Sequence, residues 1–196
     1  MFMQEITWEV KYISQLPVIR YCKKCGKKTE YICSGSFRVN AQHKYLDIWL
    51  IYKCSNCDST WNSTIYSRVN PKNLNQEILE QFHKNDDNLV EQYAMNAELL
   101  HRNGAEVGIP EYKIVGQGIN INDLTQVRIV SKYLSQLKVS TLLREKLGLS
   151  RKKFDEMLDC GVIKSISGVD LKKIKLNYEI MLEIGKEKQK SSDLLE

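Results

Sequence analysis

The sequence predicts an α+β protein in three parts. An N-terminal antiparallel β ribbon held by four cysteines comes first, then a central pair of helices, then a small C-terminal α/β domain. Three observations carry this expectation. Two Cys-x-x-Cys pairs, Cys22/Cys25 and Cys54/Cys57, flank segments with the two-residue alternation of strands. Between 70 and 104 the apolar residues fall at helical spacing instead. Charge changes sign with the pattern: nine Lys/Arg against three Asp/Glu from Arg20 to Arg68, four against nine from Val69 to Leu124, and twelve against five from Thr125 to Lys175. The corresponding boundaries are 1–69, 70–124 and 125–185, with 186–196 a flexible tail that lacks any apolar period.

Each element follows in order. "ITWEVKY" alternates strictly, with Ile6, Trp8, Val10 and Tyr12 on one face, so it reads as a half-buried strand that Pro17 interrupts. "VIRY" leads into the first cysteine pair, and Gly26 can supply the positive φ of a tight turn after Cys25. "TEYICSGSFRVN" and "YLDIWLIYKC" read as strands joined at "NAQHK". The second is apolar on both faces, Leu46, Ile48, Leu50 and Tyr52 against Trp49 and Ile51, which suits a central strand. "TWNSTIYSRV" is a third strand. Asn70–Pro71 opens the helical part. One helix is expected over about Leu74 to Phe82, and a second after Asn85 as N-cap, with Leu89, Tyr93, Ala97 and Leu100 on one stripe and Gly104 as its stop. A short strand near Tyr112 to Val115 and another in "TQVRIVSKYL" precede two short helices. The first, about Thr141 to Lys146, is capped by Ser140 and stopped at Gly148; the second, about Arg151 to Asp159, is capped by Ser150 and stopped at Gly161. "VIKSIS", "KKIKL" and "YEIML" suggest a small β element after them.

Four thiolates in two Cys-x-x-Cys pairs suit a tetrahedral zinc ion, with Cys22, Cys25, Cys54 and Cys57 as its ligands. A hairpin between the pairs brings its own ends together, and strands flank each pair as in a zinc ribbon. Such a closed sulfur shell is structural and leaves no open position for substrate. Iron fits the same shell, and two disulfides fit if the compartment is oxidising. Cys33 and Cys160 read as small packing residues, and His43 as an exposed turn residue.

No run of about 18 apolar residues exists and the N-terminus has no basic region before an apolar one, so the expected location is the cytoplasm, with no membrane partner. Nothing in the sequence identifies a small-molecule substrate. "GQG" at Gly116–Gly118 does not open a helix and is too short for a phosphate-binding fingerprint. The three histidines are scattered, so no enzyme is expected.

The stretch Lys138 to Ile163 resembles the alpha-L motif, a small RNA-binding domain of ribosomal proteins, pseudouridine synthases and tyrosyl-tRNA synthetases. The matching residues are Leu143, Ser150, Arg151, Gly161 and Ile163; Lys138, Val139 and Ser140 stand where that motif has Arg-Leu-Asp. The resemblance implies contacts to structured RNA, ribosomal or transfer RNA, through Ser150, Arg151, Lys152, Lys153 and Lys164. Lys23, Lys24, Lys27 and Lys28 around the first cysteine pair would add to them, and Lys172, Lys173 and Lys175 extend the basic surface. The same residues also fit a plain helical hairpin with serine caps and solvated lysines. A further reading is a protein partner docking on Trp49, Tyr52, Trp61 and Tyr66. Through "RYCKKCG", "SFRVNAQHKYLDIWLIYKCSNCDSTWN", "SRVNP", "YAMNAELLHRNG" and "LGLSRKKFDEMLDCGVI" the chain resembles a bacterial family carried as a domain of unknown function, a resemblance that implies no activity.

Overall fold

In the computed structural model the described residues are 4–42 and 44–185; the expectations for His43 and for the tail 186–196 lie outside them. Among the described residues the fold is α+β, with two five-stranded sheets and five α-helices. Its contacts divide into two compact units: Tyr12–Glu111, and the residues on both sides of that stretch. The boundaries expected at 69 and 124 do not coincide with this division. The reason is the first strand, β1 (Gln4–Tyr12), which runs parallel to a strand beginning at Thr125 in the register Gln4↔Thr125 to Val10↔Ser131. Its alternation is as read: Ile6, Trp8 and Val10 are all buried.

The unit Tyr12–Glu111 contains β2 (Val18–Cys22), β3 (Lys27–Gln42), β4 (Tyr45–Cys54) and β5 (Thr60–Val69). A 3-10 turn (Pro71–Asn73), α1 (Gln76–Lys84), α2 (Asp87–Ala94), α3 (Ala97–Arg102) and a short β6 (Glu106–Val107) complete it. The sheet order is β5-β4-β3-β2-β6, so β4 is interior, as its two apolar faces require. Leu46, Ile48, Leu50 and Tyr52 are buried on one face. The β3–β4 register shifts between Cys33 and Phe37, a bulge containing Gly35 at φ +71°. Ile48, Phe82 and Leu89 form a buried cluster with Phe37 and Tyr93 packed on it.

Two helix expectations are corrected here. The second central helix is broken at Met95–Asn96, because Asn96 turns its side chain to the Leu99 N–H and starts α3 as a new helix. The cap of α2 is Asp86, whose carboxylate accepts from the Leu89 N–H. Asn85 instead ends α1 in the left-handed region and accepts from the Phe37 N–H at 2.6 Å. At the end of α3, Asn103 binds the edge strand as a third strand would. Its side-chain Oδ1 accepts from the Thr64 N–H at 3.2 Å and its side-chain Nδ2 donates to the Thr64 carbonyl at 2.9 Å.

The other unit has the sheet order β7-β1-β8-β10-β9, with β7 (Tyr112–Val115), β8 (Thr125–Ser131), β9 (Ile163–Ser165) and β10 (Glu179–Ile184). Between β8 and β9 come α4 (Val139–Leu147) and α5 (Arg151–Asp159). Trp8, Ile129, Leu142, Leu143, Phe154 and Leu176 are fully buried. Ser150 caps α5 as expected. The start of α4 is corrected by two residues: Lys138 occupies the cap position, no side chain caps the helix, and Ser140 lies inside its first turn. "KKIKL" forms no strand; Lys175 pairs with Lys138 in an isolated bridge. The "GQG" loop turns its carbonyls inward: Trp8 Nε1 donates to Gln117 O at 2.8 Å and Lys146 Nζ to Gly116 O at 2.8 Å. Among the described residues no helix is long and apolar enough to cross a membrane.

Candidate functional site

Each cysteine pair sits on a tight turn between two strand ends. In the first, the Gly26 N–H donates to the Cys22 carbonyl at 2.9 Å; in the second, the Asp58 N–H donates to the Cys54 carbonyl at 3.0 Å. Gly26 and Asp58 hold the same position after their pair and both are left-handed, at φ +67° and +57°. The pairing of β2 with β3 and of β3 with β4 then brings the turns together, since Cys22 stands opposite Lys27 and Cys54 opposite Tyr31.

The four sulfurs converge, all within 4.8 Å of one another. Cys22 Sγ lies 3.6 Å from Cys57 Sγ, and Cys25 Sγ 3.8 Å from Cys54 Sγ. Four sulfurs at tetrahedral corners with metal–sulfur bonds of about 2.3 Å stand about 3.8 Å apart, so this set can hold a metal ion. None of the six cysteines is in a disulfide. Two hydroxyls support the shell. Ser59 Oγ is 2.9 Å from Cys57 Sγ and 3.3 Å from Cys22 Sγ, and Thr29 Oγ1 is 3.2 Å from Cys54 Sγ. Hydrogen bonds from Ser59 and then Tyr31 hold the Cys22 thiol down at about 5, and the bond from Thr29 lowers Cys54. Cys25 is pushed up to about 12, first by its hydrogen bond with Cys57 and then by burial. Four thiols drawn this close are suited to a central cation, which favours the thiolate form of each.

Cys33 and Cys160 stand outside this cluster. Cys33 is half-buried in β3, where burial raises its thiol, whereas Cys160 is exposed and does not pack as expected. Ser59 and Thr29 were not legible as functional. Ser59 carries a local signal, two residues beyond Cys57, but Thr29 reaches the site only through strand pairing.

The cationic residues fall in both units. Lys23, Lys24, Lys27 and Lys28 are exposed around the first turn in the unit Tyr12–Glu111, with Lys28 ion-paired to Glu106. Arg151, Lys152 and Lys153 are exposed in the first turn of α5. Lys153 pairs with Glu156 at 3.3 Å. The Ser150 hydroxyl is already engaged, accepting from the Lys153 N–H at 3.2 Å. Arg151 lines a cleft together with Lys138, Arg144 and Lys172. Lys164, on β9 opposite Glu183, lines a different cleft beside Gly161. Arg144 escaped the sequence reading, although its spacing of four from Ser140 puts both on one helical face.

The four ribbon aromatics are mostly engaged. Tyr52 is buried, Trp61 packs against Tyr52 with tilted rings 5.1 Å apart and carries the Arg20 guanidinium at 4.3 Å, and Tyr66 meets Phe82 edge-on at 6.2 Å. Trp49 is partly exposed on the opposite face of β4.

No curated protein and no solved structure matches the chain. A family described as "Protein of unknown function (DUF1062)" matches residues 39–169, which run from inside β3, through the second cysteine pair, to beyond α5. That stretch is well over half of the sequence, and the chain belongs to the DUF1062 family.

Proposed function

We propose that this protein is a non-catalytic, cytoplasmic zinc-ribbon protein that binds structured RNA, ribosomal or transfer RNA, through an alpha-L-like helix pair. The observation that carries the reading is the cation cluster at the start of α5. Arg151, Lys152 and Lys153 are exposed there beside the N-terminal end of a nine-residue helix, whose dipole and leading N–H groups favour phosphate. Cys22, Cys25, Cys54 and Cys57 hold zinc, which closes the ribbon and takes no part in chemistry. The lysines of the first turn, Lys23, Lys24, Lys27 and Lys28, add a second set of phosphate contacts. The ribbon aromatics argue less for a protein-docking face, because Tyr52, Trp61 and Tyr66 are taken up by internal packing.

A salt titration tests the reading. Binding to a folded RNA should weaken linearly in log–log salt, with a slope set by the number of phosphates contacted. Reversal of Arg151, Lys152 and Lys153 to Glu should abolish it at physiological salt. Undiminished affinity in that triple variant would refute the role of α5.

A further inference from the structure

A cleft of 260 Å³ opens between the start of α4, the first turn of α5 and the segment at 172. Lys138, Ser140, Thr141, Arg144, Arg151 and Lys172 line it, with Phe154 and Asp155 completing the wall. Four of these residues are cations and one is a carboxylate. The carboxylate is committed: Asp155 binds Lys172 at 2.8 Å. That contact first, and then the charges of Arg151 and Arg144, hold its carboxyl below the ordinary range. Lys138, Arg144 and Arg151 have no ion-pair partner among the described residues.

Two details of Arg144 and α4 mark the wall of this cleft. The Arg144 Nε is shielded from solvent and has no hydrogen-bond acceptor among the described residues. A buried donor on a permanent cation, left unmade, is costly. At the same place α4 begins with no side-chain cap, since Lys138 in the cap position cannot accept a hydrogen bond; of the leading N–H groups, that of Val139 donates to the Ile174 carbonyl at 3.1 Å. An anion seated in the cleft would balance the cations that Asp155 leaves unpaired. Two guanidiniums give forked donors, Ser140 and Thr141 give hydroxyls, and the lysines give charge, which is the donor set for a tetrahedral oxyanion.

We propose that this cleft seats one phosphate group of the bound RNA, with Arg144 as its inner ligand and Arg151 at its mouth. The inference rests on the RNA-binding reading and locates one specific contact within it. The phosphate comes from a chain end or from an internal phosphodiester; the chemistry is shared, and the experiment separates the two.

The full chain is titrated with inorganic phosphate while backbone amide resonances are followed, and then with one folded RNA carrying a 5′-phosphate or a 5′-hydroxyl. Phosphate should shift the Ser140 and Thr141 amides. Arg144→Gln should weaken RNA binding by about tenfold and lower the salt slope by about 1. Lys138→Gln, at an exposed position, should act in the same direction without any effect on folding. Lys113→Gln, on β7 outside the cleft, serves as the equal-charge control. Loss on removing the 5′-phosphate assigns the seat to a chain end; no loss assigns it to an internal phosphodiester. Native RNA affinity and native salt slope in both cleft variants would overturn this inference and leave RNA binding standing. No RNA binding by the unmodified protein at any salt would overturn both.

Discussion

Asp58 carries a backbone strain that its counterpart Gly26 does not. Both residues close a cysteine turn in the left-handed region, yet only glycine adopts that region without steric cost. Asp58→Ala should therefore destabilise the metal-loaded protein by about 1 kcal/mol, and Asp58→Gly should match or exceed the native stability, both read from denaturant midpoints. The cysteines themselves set a larger effect. One zinc per chain is expected by metal analysis. Cys22→Ser, or removal of the ion by a chelator, should sharply lower the unfolding midpoint, because a structural site contributes folding free energy directly. Well under one zinc per chain, together with an unchanged midpoint for Cys22→Ser, would dismiss the metal.

At the scale of elements, the end of β10 depends on a close backbone approach. Gly185 sits at φ +121° and donates its N–H to the Val162 carbonyl at 2.8 Å. A Cβ there would stand 2.2 Å from the Asp123 carbonyl oxygen. That oxygen is main chain and cannot swing aside. Gly185→Ala should therefore cost more than about 2 kcal/mol, measured by thermal or denaturant unfolding. The strands were the most legible elements. β5, β7 and the start of β8 lie where strands were expected, and in β8 the alternation holds, because one buried face fixes the phase of a strand. The helices were legible in existence more than in extent. A stripe of Leu89, Tyr93, Ala97 and Leu100 reads as one helix, and only the side-chain choice of Asn96 divides it. Asn85 and Asp86 are both good caps by composition. The β3 backbone, distant in sequence, decides between them by drawing Asn85 to the Phe37 N–H.

Across the whole molecule, the four-cysteine centre was legible because two short local motifs carry it. The grouping of the chain was not, because it rests on one pairing between residues far apart: β1 with β8. The cleft around Arg144 was hidden for the same reason, since Lys172 reaches α4 and α5 only through the tertiary fold. The unit Tyr12–Glu111 also binds its own two ends together. The Ile13 N–H donates to the Glu111 carbonyl at 2.8 Å, and the Glu111 N–H to Ser14 Oγ at 2.9 Å. A chain limited to 12–111 should accordingly fold alone and take up one zinc, with cooperative unfolding that vanishes on chelation; an excised unit that stays unstructured with excess zinc would refute its independence.

The pairing of β1 with β8 also sets a timetable for synthesis. β1 leaves the ribosome well before β8, and this partner strand is complete only at Ser131, almost 120 residues later. At about 5–20 residues per second, that delay is on the order of 6 to 24 seconds. Until then Ile6, Trp8 and Val10 lack the β8 side of their sheet, and until the short β7 (Tyr112–Val115) is made they lack both neighbours, while the whole unit from Tyr12 to Glu111 emerges and can fold. The nascent chain thus carries an apolar strand that waits for its partner, a natural target for a chaperone, and β1 is placed long after it is made.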